Sequence, residues 1–388
     1  MNSKDEIDKG AVDKPLLMSY WESFIPLPPI GKDNPIRTNG KLIKMEFIAQ
    51  EVFYLEDQSE IRLTAAEMAV LWSQYINDTS VICVNTHFLE KATDPEVRSI
   101  IEFTLSVAKS NIEFLQDFFK KEEFPIQFGF TEKDVLPEAP KLFSDTFVLM
   151  YSRQMSILAM AASSAALGLA TREDVVDFHK KVLQAAVKLQ DLTRSLMLKQ
   201  GTYIRPPFIP TPDKVDFVEK QQFLNTFFAK KRALTVVEIT HLFLNVQTNA
   251  IGKALITGFG QIAKSEEVKQ FLKRGKQIDQ KHMEIFSGYL LKEDLPAPMS
   301  WDAAVMDSTS SIFSDKLMMF LTSAMIAAGV GNYGMGMAAS PRKDLGFQYA
   351  SLIPEIALYA EDGANIMIKN GWMEEPPQAD DKDQLMDS

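Results

Sequence analysis

A chain of 388 residues, 46% hydrophobic and 24% charged, has the composition of an ordinary folded protein with enough length for two or three domains. Its 52 Asp and Glu outnumber its 41 Lys and Arg, and the resulting formal charge of −11 disfavours nucleic acid and anionic lipid as partners. A single cysteine, Cys83, excludes an intramolecular disulfide, and four histidines leave little material for a His-rich metal centre.

Residues 1–62 form an N-terminal extension. Met1 to Asp13 is polar and lacks the apolar core of a secretory signal, so the expectation is a cytoplasmic protein. Phe24 to Pro35 is proline-rich, and the alternating Lys41–Leu55 fits either a short hairpin or a helix. From residue 63 the pattern changes to a helical period. Apolar residues recur at helical spacing over about 64–90, 96–120, 144–169 and 172–199, which predicts four helices within residues 63–207. A proline-bearing linker, 208–233, follows. A second set then spans residues 234–377, with helices over about 235–263, 266–292, 314–338 and 342–369, before an acidic tail at 378–388.

The second set repeats the first at an offset of 170 or 171 residues. Leu63-Thr64…Glu67 returns as Leu234-Thr235…Glu238, and Phe143-Ser144-Asp145 returns as Phe313-Ser314-Asp315. Lys199-Gln200-Gly201 returns as Lys369-Asn370-Gly371, each followed by paired prolines. The recurring residues are helix punctuation. Thr64 and Glu67, like Thr235 and Glu238, fit capping boxes; Ser144 and Ser314 fit N-caps; Gly201 and Gly371 fit left-handed C-caps. Short turns join helices 1–2 and 3–4 of each copy, so each pair is a hairpin. The connection between hairpins is near 20 residues, which at full extension reaches ~65 Å and outspans a helix of ~40 Å. One long crossover between two hairpins is the ferritin-like pattern, and the predicted fold is all-α, two tandem ferritin-like four-helix bundles behind an N-terminal extension.

The Phe-Ser-Asp helix starts, Thr240–Phe243 (Thr-His-Leu-Phe) and Glu361-Asp362-Gly363-Ala364-Asn365…Asn370-Gly371-Trp372 resemble a bacterial family known only as domain of unknown function 3231. The resemblance covers roughly residues 60–380 and implies a ferritin-like fold, a distribution among endospore-forming bacteria and a loose similarity to spore coat F-type proteins. It implies no activity, and leaves the spore open as a location.

A ferritin-like bundle raises the question of a di-iron centre, built from Glu on two helices and Glu-x-x-His on the other two. The second copy offers Glu238-x-x-His241 and Asp279-x-x-His282, with Glu355 on its fourth helix. Helical pairing sets His282 level with about residue 247, roughly 9 Å along the axis from His241, too far for one ion. The metal candidates are therefore His282, Asp279 and Glu355, with Glu238 and His241 behind them. The matching residues of the first copy, Val70, Ala108, Asn111 and Ala185, carry no ligand, while Asn77 and Asp78 stand opposite Asn111 as a buried polar network.

Three further motifs are weaker. Gly329-Val-Gly331-Asn-Tyr-Gly334 spells a dinucleotide-binding fingerprint but closes an apolar helix rather than following a strand, so its small residues predict close helix packing. Cys83 and His87 share a helix face, and a reactive thiolate there would need a cleft and an electropositive setting, so the expectation is a packed or surface cysteine. Leu317–Ala339 carries no charge but reads as a central bundle helix rather than a membrane span. Caps and packing residues recur between copies and candidate ligands do not. The expectation is therefore a non-enzymatic structural or interaction protein without a cofactor, acting through a protein partner or self-association. The alternatives are an iron- or manganese-dependent oxidoreductase with one site in the second bundle, and a small-molecule binder using a Met- and Gly-lined cavity.

Overall fold

The computed structural model describes residues 37–38, 41–42, 61–224, 232–379 and 386. The chain divides into two units, Met1–Glu60 and Ile61–Ser388. In the first, strands β1 (Arg37–Thr38) and β2 (Lys41–Leu42) pair antiparallel. The rest of the alternating segment, and most of the acidic tail, lie outside the described residues.

The second unit holds both copies. The first comprises α1 (Ala65–Lys91), α2 (Pro95–Lys121), α3 (Asp145–Leu169) and α4 (Glu173–Lys199). The second comprises α5 (Val236–Ile262), α6 (Glu266–Leu291), α7 (Asp315–Ala338) and α8 (Lys343–Lys369). All eight predicted helices are present, with ends set by the chemistry read from the sequence. Thr64–Glu67 and Thr235–Glu238 close reciprocal capping boxes, Pro95 opens α2 behind the Asp94 cap, and Gly201 and Gly371 adopt φ of +70° and +65°. Beyond these glycines, Thr202 and Trp372 N–H donate back to the Met197 and Met367 carbonyls, satisfying groups the helices leave free.

Side-chain caps also fix the topology. One Asp145 oxygen, at the start of α3, accepts from the Thr93 and Asp94 N–H groups in the α1–α2 turn at 2.9 and 2.8 Å. Asp315 accepts from the Lys264 and Ser265 N–H groups with one oxygen each, at 3.0 and 2.8 Å. The third helix of each copy thus begins beside the first turn, so residues 122–144 and 292–314 run the full length of their bundles. This is the one-crossover connectivity predicted above, with α1 antiparallel to α3 and α5 antiparallel to α7.

The copies, separable in sequence, share a core. Their crossovers pair with one another: Leu136 N–H donates to Ile312, Met306 to Leu142, Ser144 to Ala304 and Ser314 to Asp134. Phe143, from the first crossover, packs its ring where a Cβ on Gly258 of α5 would stand, 2.6 Å from the nearest ring atom. Gly258→Val is expected to lower stability by about 3 kcal/mol through overpacking. Gly260→Val, where the nearest atom to such a Cβ is 3.9 Å away, serves as the matched control in urea melts. A second, smaller cluster around Leu71, Leu115, Phe119 and Phe178 lies at the other end of the first bundle. The gap between the two clusters positions the candidate site.

Candidate functional site

The middle of the second bundle is filled by a chain of hydrogen bonds across four helices. The Tyr333 hydroxyl (α7) donates to Asn249 Oδ1 (α5) at 2.9 Å and lies 2.9 Å from His282 Nδ1 (α6). On the other side His282 Nε2 stands 2.9 Å from Glu355 Oε2 (α8), and Glu355 also receives Lys281 at 2.9 Å. The hydroxyl carries one proton, and when that proton turns from Asn249 to Nδ1 the imidazole accepts there and donates Nε2–H to the carboxylate, which is the neutral tautomer. Burial agrees, pulling the His282 pKa below its ordinary value against the opposing pull of Glu355.

Of the predicted metal candidates, the structure brings His282 and Glu355 together and commits Glu238 elsewhere. Asp279 lies one turn before His282 and faces a cavity of about 70 Å³, room for about two waters. Its Oδ2 is buried without a hydrogen-bond partner, 3.0 Å from where a Cβ on Gly252 would lie. Burial raises its pKa well above the carboxylate range despite Lys253, whose ammonium is committed to Asp302 at 2.6 Å. Glu238 is consumed by the Thr235 cap, the Arg342 N–H and a two-pronged pair with Arg232. His241 Nδ1 is buried with no partner. Among the described residues no three His, Cys, Asp or Glu side chains converge. A metal site needs ionised carboxylates and a free imidazole nitrogen. Asp279, its pKa raised by burial, beside a His282 with both nitrogens engaged does not fit one.

The first bundle carries other residues at the same places. Asn111 stands for His282, Ser163 for Tyr333, Ala185 for Glu355 and Ala108 for Asp279. Of these, Ala108 and Ala185 line a cavity of about 350 Å³. Its wall includes Val84, Phe103, Met155, Leu158, Ala186 and Leu189, and α7 of the second bundle adds Leu321 and Met325. Exposed Asn77, Ala162 and Ala324 stand among the wall residues. Volume and lining fall within the range of small-molecule sites.

One carboxyl faces this space. Asp78, where the second copy has Asn249, is buried and accepts at one oxygen, Oδ2, from Gln74 Nε2 at 2.8 Å and Asn111 Nδ2 at 3.0 Å. Burial pushes its pKa up to about 7, the two amides opposing. The Asp78–Asn111 pairing was legible in the sequence, but Asn77 turns away to the Ser73 carbonyl. Gln74, Asn249 and Tyr333 were missed. The available signal was the pairing of Asp78 with Asn249, and of Asn111 with His282, at an offset of 171.

The remaining motifs resolve simply. Cys83 donates to the Thr131 carbonyl, and burial, aided by Asp134 and Glu132, pushes its thiol up to about 12. His87 Nδ1 stands 3.2 Å from the Pro137 carbonyl oxygen, with its pKa lowered to about 4 by burial, so the two make no thiolate pair. Gly329, Gly331 and Gly334 lie on α7 with open space where a Cβ would stand, which corrects the expectation of close packing there. Gly336 alone of that run serves it, against the Tyr349 ring. By length and composition α7 could cross a membrane, but a stretch near its start, Leu317 to Thr322, packs largely inside the protein.

No curated protein matches the chain. Among solved structures, a candidate spore coat protein from Bacillus halodurans C-125 aligns over 40% of this chain and 100% of its own at 15% identity, with a TM-score of 0.36. The description "protein of unknown function (DUF3231)" belongs to a family model matching residues 54–215 and again 222–385, once per bundle, and the chain is a member of that family.

Proposed function

We propose that the protein is a non-catalytic binding module in which the first bundle holds a small, largely apolar ligand while the second is a filled structural counterpart. The observation that carries this reading is the contrast between equivalent places. Tyr333, His282 and Glu355 occupy the middle of one bundle, and smaller residues line a cavity of about 350 Å³ in the other. An apolar wall of that extent gains free energy when a ligand displaces the water against it. A ligand present at 100 times its Kd stabilises by about 2.7 kcal/mol. The test is thermal unfolding of the full chain with C8 amphiphiles. We expect a rise of several degrees that disappears in an Ala108→Leu, Ala186→Leu variant, which fills the cavity. No shift in the parent chain, or an equal shift in the filled variant, overturns the reading.

A second reading, docking to a protein partner, is favoured by the linker, where Phe208 is 89% and Phe217 88% exposed. Exposed aromatic side chains of this kind are common anchors at protein interfaces. Loss of self-association by Phe208→Ser, Phe217→Ser in light scattering would support that role; a monomer unaffected by the change would count against it.

A further inference from the structure

The chemistry of the cavity wall narrows the ligand class, on the footing of the binding role proposed above. The serine and threonine hydroxyls of α1, α2 and α3 that line the space have given their protons to backbone carbonyls. Ser80 donates to Asn77, Thr104 to Ile100, Ser152 to Val148 and Ser156 to Arg153, at 2.7–2.9 Å. A hydroxyl whose proton is committed offers only lone pairs to anything else beside it. Asp78 adds a carboxyl that no cationic side chain reaches, its partners being the neutral amides of Gln74 and Asn111. The wall residues from α2 (Phe103, Thr104, Val107, Ala108), α4 (Val182, Ala185, Ala186, Leu189) and α7 (Leu321, Ala324, Met325, Ala328) carry no charge. Tyr151, on α3, is the remaining titratable group there and keeps its proton, its pKa raised by burial. The cavity is thus apolar over most of its surface, with four committed hydroxyls as acceptors, the Tyr151 hydroxyl as a donor, and one carboxyl lacking a counter-charge.

We infer that the first-bundle cavity takes a hydrophobic primary amine, with its ammonium on Asp78 and its carbon chain against Val84, Phe103, Met155 and Leu189. An ammonium brings three donors to a wall of acceptors and supplies the missing positive charge. An anion would meet Asp78 with like charge. A neutral alcohol would bring a single donor and leave the carboxyl unpaired.

Isothermal titration of the full-length protein with n-octylamine, 1-octanol and octanoate at pH 8 tests the class. Octylamine is expected to bind at least tenfold more tightly than octanol, with octanoate weakest. Asp78→Asn should bring octylamine and octanol to within about twofold of each other. That substitution is sterically mild, and Asn occupies the matching place, Asn249, in the second bundle. Asp78 is pushed up to about 7, so moving the parent chain to pH 6 should weaken octylamine about tenfold by protonating its counter-ion, while octanol changes little. If octanol equals octylamine, or if the preference survives in Asp78→Asn, the amine assignment fails. Binding of octanol that is lost in Ala108→Leu, Ala186→Leu would then leave the ligand-site reading standing. If none of the three binds the parent chain, both fail.

Discussion

At pH 8 the Asp78→Asn variant is expected to be more stable than the parent chain, by up to about 4 kcal/mol. The Asp78 pKa is pushed up to about 7 in the folded protein, chiefly by burial, against an ordinary carboxyl value near 3.9 in the unfolded chain. Each unit of that difference is worth about 1.4 kcal/mol. The sign follows from which state holds the proton. Between the two values the folded state is protonated and the unfolded state is not, so raising the pH favours unfolding. The associated stability is fully present below the unfolded value and lost as pH rises through the folded one. The advantage of the variant is therefore largest above pH 7 and vanishes below about pH 4. Urea melts of both proteins from pH 4 to pH 8 measure it. Equal stability at pH 8, or a less stable variant, would show that the carboxyl is better solvated than its position implies. A group that lowers stability, held where a neutral isostere fits, has the character of a binding group, since sites commonly trade stability for function.

What the sequence made legible was local and repeated. Capping boxes, N-caps and C-cap glycines depend on residues three or four apart, and each stands where the pattern placed it. The crossover was legible as a length, but its path depended on Asp145 and Asp315 reaching back some fifty residues to the preceding turn. The fusion of the copies through paired crossovers had no periodic signal, because single bridges such as Val135 with Phe313 leave no alternation to read. At the site, the sequence directed attention to residues that are present, such as His282 and Glu355. The cavity arises from residues that are small: Ala108, Ala185 and Ala186 look like ordinary helix formers until set against their counterparts. A void is a property of packing across five helices and cannot be seen in any one of them.

Glu67→Gln is expected to destabilise the first bundle by about 3 kcal/mol and to remove a component of its acid sensitivity. Sequence pattern assigns Glu67 to a capping box with Thr64, and the structure gives the same carboxylate a second task. Oε2 accepts from the Thr64 N–H and hydroxyl at 2.8 and 2.9 Å. Oε1 accepts from the N–H groups of Thr171 and Arg172, both at 2.8 Å, in the turn between α3 and α4. One side chain therefore ties the start of α1 to a turn more than a hundred residues later. Glu238 repeats the device with Thr235 and Arg342. Burial alone would raise the Glu67 pKa, but the N–H groups of Arg172, Thr64 and Thr171 outweigh it and hold the value at about 2. Here the folded value lies below the unfolded one, so the unfolded chain takes up the proton first. The stability is full above about pH 4.5 and is lost as pH falls towards 2, and the same 1.4 kcal/mol per unit gives about 3 kcal/mol. A glutamine at this position has one acceptor oxygen, and its amide would set donor against donor at one of the two turns. Urea melts at pH 7 and pH 3 separate the outcomes: the gap between parent and variant should be largest at pH 7 and shrink at pH 3. A constant gap would mean the loss is one of packing rather than charge. No gap at all would mean that the two turns hold together without the carboxylate.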